Sequence, residues 1–355
     1  MTVPERLDES PWPPDEPVPV RDLLLERLHA ELAHDVLESV LPPAAATVAA
    51  AHWERAFAAP LADFLARPSK MFRASITEWA WYAAGGTGEL PTQILLAVEA
   101  LHAGSLIVDD IEDDGVERRG DVALHLRYGV PCALNAGNWL YFWPARLIKE
   151  VGLSAERELA ALGRLTETQH RSHLGQGLDV SVKVQDVRQA EMAQVAAAKS
   201  ALKTGALLGF GSYLGALTAG ADLDDCETFG RFGDTIGDVL QTLDDVGPIA
   251  RDGRSDKARE DLVNGAPTWV WAAVAERLDA DDYDELVSLS VGVQAGEVEY
   301  ESLHRRLQQL MPADFDDMIG RDLSHALETV RPAVQRTACL GALDDLFRRL
   351  RASYG

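Results

Sequence analysis

The chain has 355 residues, 47% of them apolar, enough for a sizeable core in one large domain or two ordinary ones. Its 57 acidic residues outnumber 33 basic ones, and the formal charge of −24 argues against nucleic acid or an anionic membrane as partner. Three widely spaced cysteines, Cys132, Cys226 and Cys339, form no metal pattern and suit buried thiols in a reducing cytoplasm.

Residues 1–20 hold six of the 17 prolines and are expected to form a disordered tail, able at most to dock a partner, ahead of a single domain over 21–355. The tail is neither basic nor apolar, so no secretory signal is expected. Apolar residues at 24, 25, 28, 32, 36 and 40 keep a helical period from Arg21 to Leu41, and Pro42-Pro43 ends it. A second helix is expected over Ala44–Ala66. Thereafter helical segments alternate with Gly, Pro and Asp punctuation, and no strand or hairpin signal stands out. The fold class is all-α, a single large helical bundle. The uncharged run Thr204–Ala221 is long enough to cross a membrane, but five glycines with Ser212, Tyr213 and Thr218 favour a buried core helix and no membrane span.

Lysine is scarce, which makes each one informative. Lys70 and Arg73 stand one turn apart where a helix begins and read as an anion clamp. Beyond them an apolar run, Leu106-Ile107-Val108, feeds into Asp109-Asp110-Ile111-Glu112-Asp113. On a helix Asp109 and Asp113 share a face, with Asp110 one step round. Carboxylates so crowded repel unless a cation lies between them, and Mg2+ takes one or two carboxylates plus water and phosphate oxygens. Arg118 and Arg119 follow directly and match phosphate with their planar forks. Downstream, Gln176 and Asp179 lie on nearly one helix face, Lys203-Thr204-Gly205 interrupts a helix, and Gln241 precedes a second acidic pair, Asp244-Asp245. Alone, an acidic run is often only a solvated helix end. The second pair turns the balance toward a diphosphate site with metal on one side and arginine on the other.

In this order the stretches resemble the trans-isoprenyl diphosphate synthases, and within them the geranylgeranyl diphosphate synthase group. The likeness runs from about residue 65 to 270 and includes Asn135-Ala136, Tyr141-Phe142 and Glu260-Asp261-Leu262. The resemblance implies a bundle around a deep central cavity, a homodimer, and about three Mg2+ ions per active site. It makes Asp109, Asp110, Asp113 and Asp244 metal ligands, with Asp245 beside them. Arg118, Lys203 and Lys257 would hold an allylic diphosphate, and Lys70, Arg73, His102 and Arg119 would hold isopentenyl diphosphate. Gln176, Asp179, Thr204 and Gln241 would line the reacting end. Gly104 and Ser105, five and four residues before Asp109, are small and would leave room for a twenty-carbon product. A class I terpene cyclase and a non-catalytic partner subunit are the alternatives, the first not needing the isopentenyl clamp.

The pattern is departed from at several points. Asp244-Asp245-Val246-Gly247-Pro248 lacks a third aspartate, and Ser69 and Met71 stand where Gly and Arg are common. Gly265-Ala266-Pro267-Thr268 has no lysine, and Lys257 is one residue out of the usual spacing to Asp261.

Overall fold

The computed structural model describes residues 18–33, 41–250 and 256–352. The expected proline-rich tail falls outside them up to residue 17; helix α1 (Val20–Glu31) already begins at Val20. Leu24 and Leu28 of α1 are buried on the predicted stripe, and residues 34–40, the far end of that expected helix, lie outside the described set.

The helix expected over Ala44–Ala66 is not continuous. It divides into α2 (Pro43–Ala46), α3 (Ala50–Trp53), a π-helical turn over Glu54–Ala58, and α4 (Ala59–Ala66). Apolar residues continue through all of them, so periodicity alone did not reveal the breaks. Next come α5 (Phe72–Ala83) and α6 (Thr92–Glu112), the helix that ends in the aspartates. Lys70 is not on a helix: it precedes α5, and Met71 between them takes a left-handed conformation with φ +46°.

A second correction concerns strands. Two short ones, β1 (Glu117–Arg118) and β2 (Asp121–Val122), pair antiparallel with Arg118 opposite Asp121. The intervening Arg119 and Gly120 have φ +58° and +77°, as a primed two-residue hairpin turn demands. Two residues per strand are too short for any alternation to register in the sequence.

Helices α7 (Leu124–Tyr128), α8 (Val130–Glu150) and α9 (Ala155–Ser181) follow. Then α10 (Met192–Ser200) runs through a π turn over Ala201–Gly205 into α11 (Ala206–Ala219). The expected interruption at Lys203-Thr204-Gly205 is this π turn. Every residue of α11 from Ala206 to Leu217 is buried, between α5 and α12 (Leu223–Ala250). Its glycines allow that: a Cβ on Gly215 would stand 2.3 Å from the Thr77 carbonyl oxygen of α5. Among the described residues no helix is long and apolar enough to cross a membrane.

The remainder, α13 (Asp256–Val263), α14 (Trp269–Ala275), α15 (Ala280–Gln294), α16 (Tyr300–Leu310), α17 (Phe315–Val330) and α18 (Ala338–Ala352), closes the bundle. Trp79 of α5, fully buried, donates from Nε1 to the Cys339 carbonyl of α18 at 2.9 Å. Cys226 and Cys339 are buried as expected; Cys132 is only half-buried. The all-α assignment holds, with the hairpin as its one β element among the described residues.

Candidate active site

The end of α6, the hairpin, α9, the π turn and α12 converge on one cavity of about 790 Å3. Lys70, Arg73, His102, Ser105, Asp109, Asp110, Asp113, Arg118, Arg119, Gln176, Asp179, Lys203, Thr204, Gln241, Asp244 and Asp245 all line it. Two predicted positions do not join them. The side chain of Lys257, at the start of α13, lies outside the described residues. Gly104 faces α8: a Cβ there would sit 2.8 Å from the Gly137 carbonyl oxygen and 3.0 Å from the Leu140 Cβ. Its smallness serves the crossing of two helices, so the assignment to a cavity wall is corrected, while Ser105 keeps its place on that wall.

Asp109 is the hub. Its Oδ1 accepts from Lys203 Nζ at 3.1 Å and Gln176 Nε2 at 3.2 Å, and its Oδ2 from Arg118 Nη2 at 3.3 Å. Asp110 is 1% exposed; Arg118 donates to its Oδ1 at 2.5 Å from Nη2 and 2.6 Å from Nε. The other oxygen, Oδ2, is buried with no hydrogen-bond partner. Burial would lower the Lys203 ammonium pKa, but Asp109 and Asp179 outweigh it and hold that pKa well above the ordinary lysine range. Likewise burial would raise Asp179, yet Lys203 and Lys199 keep its carboxyl well below the ordinary range. Lys199 Nζ reaches Asp179 Oδ1 at 2.5 Å. Lys199 was not singled out from the sequence, although it stands four residues before Lys203 and so on the same helix face.

The π turn couples the two acidic segments. Lys203 faces Asp109, and the next residue, Thr204, donates from Oγ1 to Gln241 Oε1 at 2.6 Å. Gln241 Nε2 in turn donates to Asp245 Oδ1 at 2.7 Å, and Asp245 Oδ2 accepts the Trp269 backbone N–H at 3.0 Å. Both Asp245 oxygens are therefore engaged in orienting Gln241 and α14. Asp245 thus stands beside the acidic cluster and ties Gln241 to the start of α14.

At the other part of the cavity, Arg73 Nη1 lies 2.9 Å from His102 Nε2. A guanidinium can only donate, so Nε2 accepts and Nδ1 carries the proton. Burial, and then the charges of Arg73, Arg119 and Arg118, push the His102 pKa well below its ordinary value, so the ring is neutral at physiological pH. Glu99, one turn before His102, was also missed. It is 3% exposed, accepts the Ala74 backbone N–H at 3.0 Å, and has its pKa raised by burial despite the nearby Arg73 and Arg119.

The acidic residues suit a hard divalent cation. Asp113, at the cap of α6, has its carboxyl pushed up to about 7 by burial and then by Asp109, Asp179 and Glu260. That shift and the unpartnered Asp110 Oδ2 mark a place where positive charge is wanted. Among the described residues no group of three or more His, Cys, Asp or Glu side chains could hold a metal alone.

Similarity to known proteins is found in both sequence and fold. A sequence profile described as polyprenyl synthetase matches residues 54–300. A geranylgeranyl diphosphate synthase of Sulfolobus acidocaldarius is 32% identical over 165 residues, covering 46% of this chain and 49% of that one. One from Mycobacterium tuberculosis is 31% identical over 237 residues, 65% of each chain. Matching relatives also include proteins named geranylfarnesyl and nonaprenyl diphosphate synthase. The chain spans about half the length of the first of these curated relatives. The aligned share is 25% of a Clitopilus passeckerianus geranylgeranyl pyrophosphate synthase and 67% of a Methanothermobacter thermautotrophicus short chain isoprenyl diphosphate synthase. In fold, the crystal structure of a Lactobacillus brevis geranylgeranyl pyrophosphate synthase superposes with a TM-score of 0.70 at 19% identity, over 94% of this chain and 98% of that one.

Proposed function

This chain belongs to the polyprenyl synthetase family, and from that premise we propose that it joins isopentenyl diphosphate to an allylic diphosphate, yielding an all-trans twenty-carbon diphosphate. The observation that carries this reading is the presence of two complete sets of anion-handling groups in one cavity. Carboxylates with Lys203 and Arg118 form one set, and Lys70, Arg73, His102 and Arg119 form the other. A terpene cyclase needs only the first.

Asp109, Asp110, Asp113 and Asp244 would hold Mg2+, about three ions in all, and the bound metal would supply Lewis acidity that offsets charge on the allylic diphosphate. Lys203, pinned by Asp109 and Asp179, and Arg118 bring fixed positive charge to the same leaving group. The allylic C–O bond breaks with its electron pair passing to the diphosphate, leaving an allylic cation. Gln241, which accepts from Thr204 and donates to Asp245, borders the reacting carbon together with Thr204, beside Gln176. Apolar wall residues such as Leu106, Leu207 and Leu240 keep water from that cation. Lys70, Arg73, His102 and Arg119 clamp isopentenyl diphosphate alongside. Its double bond attacks, a C–C bond forms, and the proton released in restoring a double bond passes to the freed diphosphate. Positioning and charge supply the catalysis, and no side-chain nucleophile takes part.

The twenty-carbon length rests on small Ser105 in the cavity wall and on relatives named geranylgeranyl synthases. A homodimer is favoured by exposed Leu126, Val130 and Phe142 on α7 and α8. Incubation of the full chain with Mg2+, labelled isopentenyl diphosphate and primers of five, ten and fifteen carbons tests the reading. Elongation to twenty carbons is expected. A stop at fifteen with excess isopentenyl diphosphate overturns the length; a hydrocarbon product points to a cyclase, and no turnover to a partner subunit.

A further inference from the structure

The Arg118-Arg119-Gly120 turn is where this site is most dependent on its surroundings, because Arg119 occupies a left-handed conformation that few side chains adopt without support. That support comes from Asp63 and Phe64 of α4 and from Arg67 just past its end, none of which lines the cavity. Arg67, 5% exposed, engages each of its three guanidinium nitrogens: Nη1 on the Arg118 carbonyl at 3.1 Å, and Nε and Nη2 on Asp63 Oδ1 at 3.2 and 3.0 Å. The second oxygen of Asp63 accepts from Arg127 at 2.6 Å, and Arg127 also holds Asp121 at 2.5 Å. One ion-pair chain thus grips both strands of the hairpin, at Arg118 on β1 and Asp121 on β2. Between its members lies Phe64, fully buried, with the Arg67 guanidinium 5.5 Å and the Arg119 guanidinium 5.2 Å from its ring centroid.

From this geometry we infer that Asp63, Phe64 and Arg67 form a seat that positions Arg118 and Arg119 for diphosphate, with Arg67 as its keystone. The inference rests on the diphosphate reading of the cavity. A guanidinium fork is useful only when fixed. Arg119 carries its charge among Arg67, Arg73 and Arg118, where burial and then that repulsion, only partly countered by Glu99, lower its pKa and would drive a free side chain outward. The cation–π contact and the anchored Arg118 carbonyl hold it facing the cavity. Arg67 is buried without touching substrate because its function is to define the carbonyl from which the turn starts.

Arg67→Met in the full chain keeps the stem and removes the fork, while Asp63 retains Arg127. The KM for isopentenyl diphosphate should rise on the order of tenfold or more at saturating primer, with a much smaller change in kcat. Titration of inorganic pyrophosphate with MgCl2 by calorimetry should show a matching loss of affinity. Arg67→Lys, which can restore one hydrogen bond, should recover part of both. If Arg67→Met does not fold, Phe64→Leu, which keeps an apolar filler but removes the ring behind Arg119, should give the same KM-selective defect. A lower Tm with unchanged KM and pyrophosphate affinity would make Arg67 only a structural ion pair and overturn the inference. If the wild-type chain elongates no primer, the prenyl-transfer reading fails, whereas the pyrophosphate titrations still decide the seat.

Discussion

Asp113 is the residue at which charge and chemistry meet most directly. It is half-buried and surrounded by Asp109, Asp179 and Glu260, and its carboxyl is pushed up to about 7 by desolvation and then by those charges. Because that folded-state pKa lies above the usual carboxylate value, stability from the protonated form is present at acid pH. It is lost as the pH rises from the ordinary carboxylate range through about 7. A divalent cation at this point must displace the proton. Magnesium binding to the substrate-free protein should therefore release protons near pH 6 and few near pH 8, with apparent affinity rising between about pH 6 and 8. Calorimetry in buffers of differing ionisation enthalpy measures this directly, and a proton count of zero at both pH values would contradict it. The sequence located Asp113 because helical spacing puts it beside Asp109. It could not supply Lys199 or Glu99, whose neighbours Asp179 and Arg119 lie far along the chain and meet them only in the fold.

Among elements, the crossing of α6 and α8 separates two roles that the sequence placed together. Gly104 and Ser105 are adjacent and small, yet one turns into the neighbouring helix and the other into the cavity. Gly104→Ala should lower stability by about 1–3 kcal/mol, since its Cβ meets backbone that cannot yield freely, and should leave product length unchanged. Ser105→Tyr should instead shorten the product with little loss of Tm. Product chromatography and thermal unfolding of the two variants check this, and the opposite assignment of effects would refute it. The π turn shows a similar division. Glycine at 205 marked a loosened helix, but only the packed structure fixes Lys203 toward Asp109 and Thr204 toward Gln241. The hairpin escaped the sequence reading because two-residue strands carry no period, although Arg119-Gly120 supplies its turn.

For the molecule as a whole, a charge of −24 surrounds a cavity that, on the proposed reaction, admits two polyanions. The local cations act at contact, while the global field acts over about a Debye length, ~10 Å at 0.1 M salt. Raising ionic strength from about 10 mM to about 150 mM should therefore increase kcat/KM for isopentenyl diphosphate severalfold by screening that repulsion. A steady fall over the same range would show that the cavity's own charges dominate the approach. The helical class and the order of the charged motifs were settled by sequence alone, because helical period and i,i+4 spacing are local properties of the chain. So was the resemblance in which those motifs stand. Which aspartate is tied to Gln241, which glycine is a packing device and which arginine is buried beneath the hairpin were decided only by tertiary structure. Those distinctions depend on neighbours tens of residues away and on how completely burial removes water from each charge.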